Sequence, residues 1–164
     1  MRTNNGKAKN VIISLYFILV VLAILSITLV GSFSDLYDNK LVVILVFLGL
    51  FVILFLLTHR ISRYFEYDSD GLKVVIMNKG LLLSDHFNYR EHRVEFSKED
   101  LKGFKFNDYF FYKSLTLYLN GKNGTKKETF NVTMVSRKKR KYIRQSLSKM
   151  VKHNIKRKER EQND

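Results

Sequence analysis

Two apolar stretches near the start of the chain decide its architecture: Val11–Gly31 reads VIISLYFILVVLAILSITLVG, and Leu41–Thr58 reads LVVILVFLGLFVILFLLT. Neither stretch contains a charged residue. As α-helices they would extend roughly 31 and 27 Å, which matches the roughly 30 Å hydrocarbon core of a bilayer. We therefore predict a two-helix transmembrane hairpin over residues 11–58, joined by the polar loop Ser32–Lys40.

The charges beside the two stretches predict the orientation of the hairpin. Residues 1–10 carry cations and no acidic residue, and Arg60 and Arg63 follow the second stretch. A basic flank also precedes secretory signal sequences, but their apolar cores are shorter, about 7–15 residues. Because cationic flanks favour the cytoplasmic side, we expect a multi-pass protein of the cytoplasmic (inner) membrane. Residues 1–10 would then form a cytoplasmic flank, and both termini would be cytoplasmic.

Several functions are excluded by residue types that are missing from the sequence. Neither predicted span contains an ionisable side chain, which argues against an ion pathway and therefore against transport. The whole chain contains no cysteine, which excludes disulfides, thiolate catalysis and cysteine-ligated zinc.

Beyond the hairpin, residues 62–135 have the pattern of β-strands. The clearest signal is a predicted β-hairpin over residues 114–134 with a Gly/Asn turn at 121–124. Two apolar stripes of period two flank that turn: Leu115, Leu117 and Leu119 before it, and Phe130, Val132 and Met134 after it. Such stripes indicate strands with one buried face.

A single amphipathic helix is predicted after the strands, from Ser136 to about His153. Serine is a favourable N-cap, and one apolar stripe follows at helical spacing: Ile143, Leu147, Met150 and Val151. The opposite face is basic. Residues 154–164 are highly charged and are predicted to form a disordered tail.

The stretch Lys113–Val151 carries a family resemblance. It contains SLTLYLNG, then FNVTMV, then SRKKRKYI, and it resembles the last hairpin and helix of bacterial pleckstrin-homology-like (PH-like) membrane proteins of unassigned function. The resemblance covers roughly residues 63–153. It implies a cytoplasmic domain with about seven antiparallel strands in a bent barrel, capped by one C-terminal amphipathic helix. It also implies scaffolding of a protein partner or self-association.

Two features depart from the phosphoinositide-binding members of that family. Eukaryotic members usually have a tryptophan in the helix, and this chain has no tryptophan. Phosphoinositide-binding members carry a basic cluster in the first hairpin. Here that hairpin contains Asp68 and Asp70, and Lys73 is the one cation between Tyr64 and Asn78. Inositol-phosphate recognition of that kind is therefore not expected.

The strongest candidate for binding chemistry is the cationic start of the last helix. Residues 136–164 carry 12 lysine or arginine residues against three acidic ones. The candidates for an anion, lipid or partner site are Arg137, Lys138, Lys139, Arg140, Lys141 and Arg144. Cations at a helix N-terminus oppose the macrodipole, so an external anion would relieve them. The open alternatives are a solvated basic face, contact with an anionic membrane surface, and nucleic acid, which would require more interleaved aromatics.

Two further clusters remain open to more than one interpretation. The aromatic run Tyr109, Phe110, Phe111 and Tyr112 is either barrel core with one exposed edge or a patch that contacts peptide or lipid. His86 and His92, with Asp85 and Glu91 nearby, would be about 20 Å apart along one strand. We therefore expect no metal site and no cofactor.

Together these patterns predict a non-catalytic, membrane-tethered interaction or scaffold module. Its PH-like domain would dock a protein partner, a second copy or anionic lipid headgroups, while its hairpin would be integral to the lipid bilayer. One alternative is an accessory subunit of a larger membrane complex assembled through the hairpin. A second is an enzyme with no recognisable motif, although no catalytic residues can be named. Nucleic acid is not an expected partner.

Overall fold

The computed structural model describes residues 1–32, 39–80, 91–121 and 124–163. The chain divides into two compact units. One consists of Met1–Gly6 together with Ile61–Asp164, and the other is Lys7–Arg60. The residues before the first long helix therefore belong to the same unit as the residues after the second one.

The unit Lys7–Arg60 is built from two helices, α1 at Ala8–Ser32 and α2 at Lys40–Ile61. Both are long and apolar enough to cross a membrane, and they contain the two predicted spans. Hydroxyl groups in the second half of α1 bond back to their own helix. The hydroxyls of Ser26 and Thr28 donate to carbonyls four residues earlier, at 2.8 and 2.6 Å. Most of the predicted loop, residues 33–38, lies outside the described residues.

The other unit contains two antiparallel sheets followed by a helix. The four-stranded sheet has the order β1-β2-β3-β4, with strands Arg2–Asn4, Arg63–Asp68, Lys73–Gly80 and His92–Ser97. The three-stranded sheet has the order β5-β6-β7, with strands Leu101–Asp108, Lys113–Gly121 and Gly124–Asn131. Helix α3 spans Arg137–Asn163.

The prediction of antiparallel strands and a C-terminal helix is confirmed, but the prediction of one bent barrel is wrong. Among the described residues, the seven strands form two separate sheets rather than a closed barrel. The break falls where the 3-10 turn Lys98–Asp100 redirects the chain between β4 and β5. The predicted hairpin at 114–134 is confirmed as β6 and β7, and Gly124 at its turn has φ +121°, a conformation that favours glycine.

The first strand is the main difference from the predicted domain boundaries. Residues 1–10 were expected to be a flank and the domain to begin at residue 63. Instead, β1 pairs with β2, so that Arg2 faces Asp68 and Asn4 faces Glu66 across the ladder. The two strands of this pair are separated in sequence by the whole helical hairpin.

Asn5 fastens this N-terminal segment to β2. Its side-chain amide donates to the carbonyl of Arg63 at 2.9 Å, and its side-chain carbonyl accepts from the backbone N–H of Phe65 at 2.8 Å. Its own backbone N–H donates to the Phe65 carbonyl at 3.1 Å. Asn5 is only 4% exposed. These bonds therefore replace the hydrogen bonds to water that the amide loses on burial.

The hydrophobic core lies between the two sheets and α3. Its fully buried side chains include Phe65 and Tyr67 of β2 and Leu115 and Leu117 of β6. The predicted apolar stripe of α3 is confirmed, because Ile143 and Leu147 are fully buried while Met150 and Val151 pack against the core.

Helix α3 is longer than predicted. Residues 154–163 are helical where the sequence pattern favoured a disordered tail. Arg157 pairs with Glu99 of the 3-10 turn at 2.6 Å and with Glu161, one helical turn further, at 3.3 Å. Asn154 is buried and donates to the carbonyl of Leu101 at 3.0 Å. These contacts tie the extension to the sheets.

Side chains join the two sheets at the end where β2 begins. The amide of Asn78 donates to the carbonyl of Tyr64 at 2.8 Å and to that of Asn131 at 3.0 Å. The Asn78 side-chain carbonyl accepts from the Asn131 backbone N–H at 2.7 Å. One side chain therefore connects β2, β3 and the last residue of β7.

A second junction links β4 to β7. His92 lies 2.9 Å from Glu128 and stacks on Phe130 with ring centroids 4.7 Å apart. Burial raises the pKa of Glu128, but hydrogen bonds from Lys126 and His92 outweigh this effect, and the pKa is lowered overall. The ionised form of Glu128 therefore stabilises the folded domain.

We expect Asn5→Ala to destabilise the β domain by about 2 kcal/mol, because it leaves buried backbone groups of β2 without partners. The measurement is pulse proteolysis of the full chain across a urea series in a neutral detergent. The control is Asn4→Ala, since Asn4 is an exposed neighbour whose side chain makes a local bond to Gly6. Equal urea midpoints for the two variants would show that Asn5 does not hold β1 in place.

The lowered pKa of Glu128 predicts acid sensitivity. Its stabilising effect is fully present above the unfolded-state pKa of about 4.3 and is lost as pH falls through the lower folded-state pKa. We expect Glu128→Gln to flatten the fall of the urea midpoint below about pH 4.3. The control is Glu95→Gln, which alters a half-exposed carboxylate on β4. An unchanged acid limb in Glu128→Gln would contradict the assignment.

Candidate functional site

The N-terminus of α3 fixes where the predicted cations lie. Ser136 acts as the N-cap, since its hydroxyl accepts from the backbone N–H of Lys139 at 3.4 Å and its carbonyl accepts from Arg140 at 2.9 Å. The helix is held below this turn by buried Ile143 and Leu147. The stripe that packs on the sheets therefore determines which cations face the end of the β5–β6 hairpin.

Four of the six predicted cations converge on one pocket of about 750 Å³. The lining residues are Phe106, Asn107, Asp108, Lys113, Arg137, Arg140, Lys141, Arg144 and Gln145. Two elements contribute cations, since Lys113 comes from β6 and the others from α3. Among these described residues, five basic side chains share the pocket with one carboxylate, that of Asp108. The pocket is therefore strongly electropositive.

Asp108 neutralises only part of this charge. Its carboxylate lies 2.7 Å from the Lys113 ammonium and 3.5 Å from the Arg140 guanidinium. The hydrogen bond from Lys113, with the charge of Arg140 behind it, lowers the pKa of Asp108. The Nε atom of Arg140 is buried and has no hydrogen-bond partner within the described part of the chain. Arg144 lies over the Phe106 ring at 5.1 Å, a cation–π contact.

The other two predicted cations lie outside the lining of this pocket. Lys139 is turned toward the N-terminal segment and donates to the backbone carbonyl of Asn4. Lys138 is exposed. The run Arg137–Lys141 is therefore divided by helical geometry. Positions 137, 140, 141 and 144 share one face at spacings of three and four, and Lys138 and Lys139 lie outside the lining.

The predicted aromatic run forms the tip of the β5–β6 hairpin. Tyr109 and Tyr112 close the turn through reciprocal backbone bonds of 2.9 and 3.2 Å. Phe110 and Phe111 occupy the tip and are 91% and 73% exposed. Their rings pack edge to face with centroids 4.4 Å apart. These two residues thus lie on the surface and outside the hydrophobic core.

Asp108 and Lys113 were not among the residues predicted for the site. They flank the aromatic run symmetrically and are paired across the β5–β6 ladder. The length of the turn between β5 and β6 is the sequence feature that could have identified Asp108 and Lys113. A two-residue turn at Phe110–Phe111 places Asp108 opposite Lys113, at the base of the tip.

The histidine cluster does not assemble in the described residues. His92 pairs with Glu128, while His86 and Asp85 lie outside the described residues. Among the residues that the structure does describe, no group of three His, Asp or Glu side chains is placed to hold a metal ion.

No protein-family model, curated protein sequence or solved structure matches this chain.

Arg137 lies in the first turn of α3, where its positive charge opposes the helix dipole and should destabilise the domain. We expect Arg137→Gln to stabilise the domain by about 0.3–1 kcal/mol at low salt, because it removes a cation that opposes the helix dipole and its cationic neighbours. The gain should vanish at about 0.5 M salt, where screening extends over roughly 4 Å. Lys152→Gln, in the middle of α3, is the control. If both variants are stabilised by the same amount, the effect comes from the lower net charge of the protein and not from the helix dipole.

Proposed function

We propose that the protein is a non-catalytic, membrane-tethered module whose β domain docks anionic lipid headgroups in the basic pocket at the start of α3. The observation that carries the proposal is the convergence of Lys113 with Arg137, Arg140 and Lys141 around one carboxylate. Cations brought together in this way repel one another unless an anion enters. A headgroup phosphate supplies that charge and accepts several hydrogen bonds at once.

The preference for lipid over other anions comes from the rest of the chain. Helices α1 and α2 are long and apolar enough to span a bilayer, and a spanning hairpin would keep the domain beside a lipid surface. Each lysine or arginine close to an anionic leaflet contributes about 1 kcal/mol. Several such cations on one short segment would give substantial binding to the leaflet.

The pairing of β1 with β2 supports a defined topology. Because both strands belong to one sheet, the chain must enter α1 and leave α2 on the same side of any membrane that these helices cross. The basic residues Lys7, Lys9 and Arg60 flank the helices on that side, and such flanks favour the cytoplasm. We therefore propose a two-span protein of the inner membrane with a cytoplasmic domain.

We interpret the β domain as PH-like, with the helical hairpin inserted between its first and second strands. The support is the element order, four strands and then three strands followed by one C-terminal helix. The β2–β3 turn carries Asp68 and Asp70, so the anion would bind at the α3 end and not at that turn. The basic cluster differs in position from the first-hairpin cluster of phosphoinositide-binding members.

A spin label at Gln145→Cys tests the proposal in the full chain. Gln145 lines the pocket, and the label is unique because the chain has no cysteine. In phosphatidylcholine vesicles that contain phosphatidylglycerol, we expect access of a neutral nickel chelate to fall about threefold relative to phosphatidylcholine alone, because headgroups fill the pocket. High salt should restore access. The control label, Lys152→Cys, lies about two helical turns further on a similar face and should change little.

Two double substitutions test whether the change at position 145 depends on the pocket cations in particular. Combined Arg137→Gln and Lys141→Gln substitutions should abolish the change at position 145. Combined Lys156→Gln and Lys158→Gln substitutions remove equal charge near the end of α3 and should preserve it. If access at position 145 is the same in both lipids, or both charge variants lose the effect equally, the pocket is not a headgroup site.

A second candidate is an accessory subunit that assembles through the hairpin. The observation that favours it is an apolar groove of about 240 Å³ within the unit Lys7–Arg60, lined by Ala23, Phe47 and Phe51 among others. Small and aromatic side chains of this kind can accept a further helix in lipid. Crosslinking from single cysteines at Val20 and Val52 would then capture a partner, irrespective of the charge variants above.

A further inference from the structure

We propose that the aromatic tip of the β5–β6 hairpin, Phe110 and Phe111, inserts into the interfacial region of an anionic membrane beside the basic pocket. This inference rests on the proposed function and adds an apolar contact to the electrostatic one. The occupant we assign to the tip is the lipid surface itself, at the level of the headgroups and upper acyl chains.

The two tip phenylalanines project from the end of the hairpin. Reciprocal backbone bonds between Tyr109 and Tyr112 make a tight turn that leaves only Phe110 and Phe111 beyond it. Both phenyl rings are largely exposed and contact each other edge to face. The Asp108–Lys113 ion pair closes the hairpin directly below. Two adjacent phenylalanines on a hydrogen-bonded turn form a compact apolar wedge that water solvates poorly.

The basic pocket lies at the base of this wedge. Asp108 and Lys113, each two residues from a tip phenylalanine, both line the pocket. Arg140 reaches Asp108, and Arg144 lies over Phe106 on the same hairpin. Aromatic side chains with cations alongside are the combination found at membrane interfaces, where rings enter the headgroup layer and cations meet lipid phosphates.

Contacts within the domain place the wedge at the end from which the chain leads to α1 and α2. Asn78 contacts Tyr64, the second residue of β2, and also Asn131. Asn131 is paired with Ser114, the neighbour of Lys113. On the N-terminal side, Lys139 of α3 contacts Asn4, which precedes α1. The base of the β5–β6 hairpin and the start of α3 are thus connected by short contacts to the two segments that continue into the apolar helices.

The experiment uses the full chain in vesicles with an environment-sensitive nitrobenzoxadiazole (NBD) fluorophore at Phe110→Cys. The matched control is Leu72→Cys. Leu72 is a large apolar turn residue that is 93% exposed, against 91% for Phe110. It lies in the turn that follows β2. Because β2 extends about 17 Å from Arg63 to Asp68, this turn is at the opposite end of the strand from Arg63. A second reporter, Phe111→Cys, gives an independent measurement at the tip.

In vesicles that contain phosphatidylglycerol, we expect NBD at positions 110 and 111 to show blue-shifted emission and quenching by spin labels attached to shallow acyl-chain positions. Collisional quenching by aqueous iodide should fall at least about threefold relative to position 72, because the tip is removed from water. Combined Arg137→Gln and Lys141→Gln substitutions should weaken both effects. The label at position 72 should remain exposed to iodide and insensitive to lipid composition.

Three results would overturn the inference. The label at 110 could remain as open to iodide as the label at 72 in every lipid. It could be protected from iodide without quenching by lipid spin labels, which would indicate contact with protein. It could also respond equally in neutral vesicles and in the charge variant. If the pocket label at Gln145→Cys still responds to anionic lipid in any of these cases, the tip inference fails and the proposed function stands. If neither label responds, both fail.

Discussion

The fold depends on the pairing of β1 with β2. These strands come from opposite sides of the helical hairpin, and one buried amide, Asn5, bonds to both Arg63 and Phe65. Loop closure over a long insertion is costly in entropy for a disordered chain, but two adjacent antiparallel helices bring their ends together. The hairpin and the sheet are therefore mutually consistent, since each requires residues 6 and 61 to be close.

Local periodicity explains which parts of the fold could be predicted. The apolar spans, the β6–β7 hairpin and the buried stripe of α3 each repeat within a short window, so the sequence alone indicates them. Strand β1 has three residues and no alternating apolar pattern, so nothing local distinguishes it from a flank. The junction between the two sheets depends on the contact of Asn78 with Asn131, which are distant in sequence.

The sequence allowed the residue types of the candidate site to be predicted, but not which of those residues face one another. A run of cations is visible in the sequence, but the packing of Ile143 and Leu147 decides which of them face the β5–β6 hairpin. Lys139 belongs to the same run and yet contacts Asn4. Asp108 and Lys113 became part of the site only through the turn at Phe110–Phe111, whose two-residue length the aromatic run did not reveal.

Two features of this end of the domain are unfavourable in water, for different reasons. The cations of α3 oppose the helix dipole and one another, and only Asp108 offsets them within the described lining of the pocket. The phenyl rings at the tip expose apolar surface to water and lie outside the hydrophobic core. An acidic protein surface would relieve the first cost and a hydrophobic groove the second. An anionic membrane interface would relieve both at once, because phosphate and hydrocarbon lie close together there, and the tip phenylalanines here are two residues from Asp108 and Lys113 of the pocket.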